Sequence, residues 1–298
     1  MDFMIPSFSD WLRLMRPAQW IKNLFVFFPA IFGGGLLDAR IFIGACESFI
    51  IFCLLASSIY VINDIRDREA DRAHPEKCRR PIASGRISKK TAVGFALTLD
   101  FLWIFLTYIW FGFRPEVWAI VGGYFLMNLA YSMGLKQVAI VDVFIVSAGF
   151  VLRVLMGGVV CRIWVSPWLI MMVLLGTLLI AFGKRRDDVL LMEAGHKATR
   201  KSITTYNIQF INQVLSMLSA ATIVAYVCYT LSPAVEERFG SEYIYLTSIF
   251  VIAALLRYLQ IAVVFERSGR PTQILYGDRF IVACALLWMI SFLIIIYC

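Results

Sequence analysis

Nine stretches of this chain are apolar over the length of a bilayer crossing: roughly 20–37, 42–62, 91–111, 116–133, 138–160, 164–183, 207–232, 242–264 and 277–297. A helix rises about 1.5 Å per residue, so about 20 such residues cross a hydrocarbon layer about 30 Å thick. In lipid every backbone N–H and C=O must find its partner inside the protein, which stretches of this kind achieve as helices. The expected fold class is all-α, a polytopic bundle of about nine transmembrane helices forming one domain over 1–298. Only 16% of the residues are charged and 60% are hydrophobic. A soluble domain carries about a quarter charged residues, so no single aqueous core could hide this much apolar surface. The short turn between 116–133 and 138–160 predicts a helical hairpin there. Residues 1–16 mix Phe, Trp and Leu with Asp10, Arg13 and Arg16, without the pattern of a cleaved signal, and read as an amphipathic interfacial segment.

The basic residues orient the bundle. If the N-terminus is cytoplasmic, the inside segments carry 22 Lys and Arg against 4 outside (Arg40, Arg114, Arg162 and Arg238). That asymmetry places the N-terminus in the cytoplasm, and the expected location is the cell (inner) membrane. The net charge of +8 stands in short loops between apolar runs, so it reads as topology and anionic substrate, and no nucleic-acid partner is expected. The seven cysteines have neither metal nor redox spacing and read as small apolar residues. Gly33-Gly34-Gly35 lacks the strand–helix context of a phosphate loop and reads as helix-end flexibility.

One segment carries chemistry. Where the second apolar run leaves the membrane the chain reads Asn63-Asp64-Ile65-Arg66-Asp67-Arg68-Glu69-Ala70-Asp71. Asp64, Asp67 and Asp71 are spaced i, i+3, i+7, and on a continued helix all three share a face. Three carboxylates on one face repel unless a cation lies among them, and hard oxygens suit Mg2+, which binds through a few carboxylates plus substrate phosphates. A solvated helix with local pairs to Arg68 and Arg72 would show the same composition; the position at the mouth of a bundle favours a Mg2+–diphosphate site. Lys77, Arg79 and Arg80 follow closely and would neutralise the other side of a phosphate group. Pro75 and Pro81 stiffen this loop and Gly85 ends it. His74 reads as a loop residue ahead of a catalyst.

The pattern N-D-x-x-D-x-x-x-D followed by R-P-I-A-x-G resembles the first signature of the UbiA superfamily of intramembrane prenyltransferases, and the resemblance runs over nearly the whole chain. It implies a helical bundle around a central cavity open sideways to lipid, a cytoplasmic active site, Mg2+ on the aspartates and a polyprenyl substrate. Aromatic prenyltransferases of the superfamily resemble one another in a second D-x-x-x-D. Here Asp142 stands alone, with Val146 in the place of its partner, and the loop Gly183-Lys184-Arg185-Arg186-Asp187-Asp188 is basic first. The balance resembles the decaprenyl-phosphate phosphoribosyltransferase branch, matched at Arg16-Pro17-Ala18-Gln19-Trp20-Ile21-Lys22-Asn23, at 71–85, and from Lys136 to Arg153 with Gly157-Gly158 beyond. The branch implies phosphoribosyl pyrophosphate as donor and a polyprenyl phosphate as acceptor, a step in making cell-wall precursors. A donor with two anionic ends needs one carboxylate–metal cluster and additional cations.

The expected site therefore takes Asp64, Asp67 and Asp71 as catalytic and metal-holding residues. Lys22, Asn23, Asn63, Lys77, Arg80, Tyr131, Lys136, Asp142, Arg153 and Lys184 are candidates for substrate binding. Arg153 lies inside the fifth run, where a cation is costly and faces a polar cavity or a partner, with Asp100 a candidate partner. Lys136 could equally extend to lipid headgroups, and His196 with Lys197, Arg200 and Lys201 reads as an inside-facing basic loop. A prenyl transfer to an aromatic or other small acceptor is the alternative reaction. A transporter would instead pair broken helices near the midplane. A homo-oligomer is left open.

Overall fold

The computed structural model describes residues 7–33, 35–73, 77–195, 200–266 and 277–297, and all regular structure among them is helical. The elements are α1 (Phe8–Met15), a 3-10 segment (Pro17–Phe27), α2 (Phe28–Phe32), α3 (Ala39–Arg66), α4 (Arg68–Arg72), α5 (Lys89–Phe111), α6 (Pro115–Met133), α7 (Val141–Cys161), α8 (Pro167–Glu193), α9 (Ile208–Thr230), α10 (Pro233–Phe239), α11 (Ser248–Leu259) and α12 (Arg279–Tyr297). The long helices start where a short polar side chain takes an orphan N–H. Ser88 accepts from Thr91, Ser166 from Leu169 ahead of Pro167, and Asn207 from Phe210. Gly112 closes α5 at φ +61°, a conformation that favours glycine.

Among the described residues six segments are long and apolar enough to cross a membrane: Ala39–Arg66, Lys89–Phe111, Val141–Cys161, Pro167–Glu193, Ile208–Thr230 and Glu242–Val264. The chain is an integral membrane protein. Two further expected runs are helical, α6 with Glu116 and Asn128 along it and α12 with the shorter apolar length Arg279–Ile295. The run 20–37 departs from expectation. It is a 3-10 segment and one short α-helix rather than a single span, with Pro17 opening the first, Pro29 opening the second and Gly33 ending it.

The chain forms two compact units, Met1–Met133 with Leu152–Val165, and Gly134–Val151 with Ser166–Cys298. In the first, α3 is the central element and packs against α5, α6, α1 and the 3-10 segment. Val26, Ile51, Phe52, Leu55, Val117 and Met156 bury one core, and Leu14, Val61, Ile82, Ile87 and Ala92 bury another at the end that carries the aspartate motif. In the second, α8 packs on α9 and α11 on α12 and α9, around Leu178, Phe182, Val189, Ile211, Leu215 and Tyr258.

Candidate active site

Asp64 lies in the last turn of α3, and the helix stops two residues later. Asp67 is both the end of α3 and the start of α4: its N–H bonds the Asn63 carbonyl at 2.8 Å and its own carbonyl accepts from the Asp71 N–H at 2.8 Å. The expectation of one continuous helix through the three aspartates is thus corrected to two helices with a bend at Asp67. The bend still brings the outer two together. Arg80 Nη1 bonds Asp64 Oδ1 at 3.0 Å and Asp71 Oδ2 at 2.7 Å, and Arg16 Nη2 also donates to Asp64 Oδ1. Asp64 and Asp71 are 3% and 4% exposed. Carboxylates so buried are tolerable only with counter-charge, and two guanidinium groups supply it.

Packing fixes both arginines. Arg16 has a left-handed backbone (φ 54°, ψ 60°) between α1 and the 3-10 segment, and its guanidinium lies 5.0 Å from the centre of the Tyr60 ring. Arg80 sits in a loop whose Ile82 and Ile87 are buried against Leu14 and Val61. Arg72 donates to the Ala83 carbonyl at 3.0 Å, Arg86 pairs with Asp10 at 3.1 Å, and Gly85 turns the loop at φ +84°. Lys77 is half-buried in the 3-10 turn Lys77–Arg79 of the same loop. His74, and His196 with Lys197, lie outside the described residues.

The donor set fits Mg2+. Two buried carboxylate oxygens already converge on one cationic nitrogen, and Asn63 Oδ1 is buried without a hydrogen-bond partner. Among the described residues no three His, Cys, Asp or Glu side chains are grouped closely enough to hold an ion by themselves. That suits a cation completing its shell from substrate phosphates and water.

Deeper in the same unit, Arg153 is 4% exposed. Its Nε donates to Asn23 Oδ1 and its Nη2 to the Tyr124 hydroxyl, each at 2.7 Å, and it lies 4.8 and 5.4 Å from the Tyr124 and Phe52 ring centres. Asp100 is not part of this cluster: it accepts from Ser58 at 2.5 Å and from Trp103 Nε1 at 2.9 Å. Gly157 explains how Asn23 reaches Arg153. A Cβ there would stand 1.9 Å from the Val26 carbonyl oxygen, so only glycine lets the 3-10 segment lie on α7. Lys22, next to Asn23, and Tyr131, near the end of α6, are half-buried.

In the second unit Asp142, at the start of α7, is fully buried and accepts from Arg185 Nε at 2.7 Å. Arg185 Nη1 also bonds Asp188 at 2.9 Å. The expected loop 183–188 is helical, because α8 runs on to Glu193, and this is what buries Arg185 and Arg186 while leaving Lys184 exposed. Arg186 Nε donates to Asn212 at 2.8 Å. Lys136 lies half-buried in the 3-10 turn Leu135–Gln137, its carbonyl accepting from Ser202 at 3.2 Å. The N–H of Ile140, at the unusual φ of 68°, donates to the Tyr206 hydroxyl at 2.5 Å, and burial nevertheless pushes the Tyr206 phenol above its ordinary range.

Sequence reasoning passed over Arg16, Tyr60 and Tyr124 in the first unit and Arg185 in the second. Arg16 had a signal, since it opens the stretch that continues to Lys22 and Asn23. The tyrosines had none, because aromatic residues are frequent throughout the chain.

The UbiA prenyltransferase family model matches residues 24–284. The chain is 31% identical to the decaprenyl-phosphate phosphoribosyltransferase of Corynebacterium glutamicum, over 96% of this chain and 86% of that protein. It is 34% identical to the one of Mycolicibacterium smegmatis, over 94% of this chain and 90% of that protein. Among solved structures, a UbiA homolog from Archaeoglobus fulgidus bound to DMAPP and Mg2+ matches 97% of this chain and 99% of its own, with a TM-score of 0.70 at 18% identity. A digeranylgeranylglyceryl phosphate synthase matches 95% of this chain and 97% of its own, with a TM-score of 0.66 at 18% identity.

Proposed function

The chain belongs to the UbiA prenyltransferase family, is a transferase similar to the decaprenyl-phosphate phosphoribosyltransferases, and on that premise we propose that it moves a 5-phosphoribosyl group from phosphoribosyl pyrophosphate to a polyprenyl phosphate. The observation that carries the reading is the convergence of Asp64 and Asp71 on Arg80, where buried carboxylates and guanidinium groups meet in one place. A diphosphate with a divalent cation needs both kinds of group within reach. In the reaction the bond from ribose C1 to the pyrophosphate oxygen breaks with its electron pair leaving on pyrophosphate. A phosphate oxygen of the lipid forms the new bond to C1 from the opposite face. That oxygen is already ionised at neutral pH, so no strong general base is required.

Asp64, Asp67 and Asp71 would hold Mg2+ together with oxygens of the donor. When bound, Mg2+ neutralises charge that develops on the departing pyrophosphate. Arg80 and Lys77 stabilise the same oxygens from the loop side. Asn63, whose Oδ1 is buried without a hydrogen-bond partner, would offer a neutral oxygen, and Arg153, held by Asn23 and Tyr124, gives the interior a fixed positive charge for an anionic headgroup. In the first unit Lys22 is a further candidate for the donor's 5-phosphate, and Tyr131 a further candidate for substrate contact. The full arrangement we propose is one domain in the inner membrane of about nine apolar segments, the run 20–37 entering as a 3-10 segment and a short helix rather than as one span, with N-terminus and active site toward the cytoplasm.

Incubating membranes that contain the protein with labelled phosphoribosyl pyrophosphate and polyprenyl phosphate tests this. Label should pass to an organic-extractable lipid with release of pyrophosphate. A chain that ignores this pair and transfers a prenyl group from its diphosphate to an aromatic acid would refute the proposal and establish the prenyl-transfer alternative.

A further inference from the structure

Arg16 answers a question the aspartate motif raises: what counters the charge of two buried carboxylates that converge on one place. Arg80 Nη1 lies between Asp64 and Asp71, and Arg16 bonds the very Asp64 oxygen that Arg80 touches. Arg16 is also built into its place. It takes a left-handed backbone that non-glycine residues rarely adopt, is followed at once by Pro17, and stacks on Tyr60. A side chain meant only for the surface needs none of this. We infer that Arg16 and Arg80 are place-holding cations, which keep divalent metal off the aspartates until a diphosphate arrives with it.

The inference rests on the metal–diphosphate reading above and adds an order of binding to it. Asp64 cannot offer Oδ1 to a divalent cation while two guanidinium groups occupy that oxygen. A diphosphate supplies new acceptors for both arginines. They pass from carboxylate to phosphate oxygens, the carboxylates are freed in the same event, and the count of charge-assisted hydrogen bonds is preserved. Free metal gains no such exchange, because its arrival would leave two arginine side chains facing a cation of like charge. Arg16 is thus a positioning residue that sets when the site accepts metal.

The test uses Mn2+ as a spin-active probe and the full chain in detergent, with bound metal read by electron paramagnetic resonance. Wild type should bind Mn2+ weakly alone and at least tenfold more tightly once inorganic pyrophosphate is present. Arg16→Gln should gain affinity for Mn2+ alone by about tenfold, the scale of one charge-assisted hydrogen bond, whereas a merely loosened fold would lose it. Arg16→Lys keeps the charge and should fall closer to wild type. Tight Mn2+ binding by wild type without pyrophosphate would overturn the inference and leave the proposed reaction standing. So would equal gains in the Gln and Lys variants, which would assign the effect to lost packing. Failure of Mn2+ to bind wild type even with pyrophosphate would remove the metal–diphosphate reading itself.

Discussion

Asp142→Asn isolates a buried ion pair of the second unit. Asp142 is fully buried and its partner Arg185 is 4% exposed, with Nε 2.7 Å from Oδ2. Removing one partner of such a pair strands the other charge, at about 3–5 kcal/mol. Two features reduce that figure here. Arg185 keeps Asp188 at 2.9 Å, and an asparagine still offers an amide oxygen. We therefore expect a loss of about 2–3 kcal/mol for the single variant. Adding Arg185→Gln removes the stranded charge, so the double variant should be less destabilised than the sum of the singles. The coupling should reach at least about 1 kcal/mol, above the roughly 0.6 kcal/mol average for polar pairs between membrane helices. Reversible unfolding in mixed micelles, titrated with denaturing detergent, measures all four proteins. Additive effects within about 0.3–0.5 kcal/mol would refute the pairing as a stabilising element and return Asp142 to a purely substrate-facing role.

Asp64→Asn and Asp67→Asn should each abolish turnover with folded protein retained, EDTA should do the same to wild type and Mg2+ should restore it; full activity in metal-free buffer would sink the metal assignment. Alanine at Lys22, Lys77, Arg80 or Lys136 should raise donor KM about ten- to a hundredfold in at least one variant while acceptor KM hardly moves, the cost of one charge-assisted contact being about 1.5–3 kcal/mol. Gly157→Ala places a methyl 1.9 Å from the Val26 carbonyl oxygen and should cost about 1–3 kcal/mol of stability, visible as a lower melting temperature in detergent. In a cysteine-free background, an impermeant thiol reagent applied to intact cells should miss Cys at position 84 (Ser84→Cys) and label it at position 241 (Ser241→Cys); the opposite pattern would invert the topology.

The helical class and the aspartate motif were legible in the sequence because both depend on local regularities. An apolar run of bilayer length declares itself, and carboxylates spaced i, i+3, i+7 declare a face. Three features were not legible, for separate physical reasons. The break at Asp67 leaves the spacing of the carboxylates intact, and Asp64 and Asp71 meet through Arg80 rather than along one helix. The extension of α8 to Glu193 runs against the charge in Lys184-Arg185-Arg186-Asp187-Asp188, which reads as a solvated loop until Asp142 and Asn212 are seen to receive the arginines. The 3-10 segment Pro17–Phe27 is apolar enough to pass for a span, and hydropathy does not register that prolines flank it. Asp100 was matched with Arg153 on charge alone, whereas neutral donors on its own and a neighbouring helix satisfy it.

Helix α1 buries Leu14 against Ile82 and Ile87, sets Trp11 tilted against Phe95 and pairs Asp10 with Arg86. Every one of those partners is made long after α1 itself. Helix α1 therefore completes its packing only after the chain has been extended through the loop 77–88 and into α5, with α3 alone to rest on before that. Assembly of the cations at the aspartates is in this sense a timed event of biosynthesis: a nascent chain halted just after Asp71 would carry all three aspartates yet neither Arg80 nor the buried Ile82 and Ile87 of its loop.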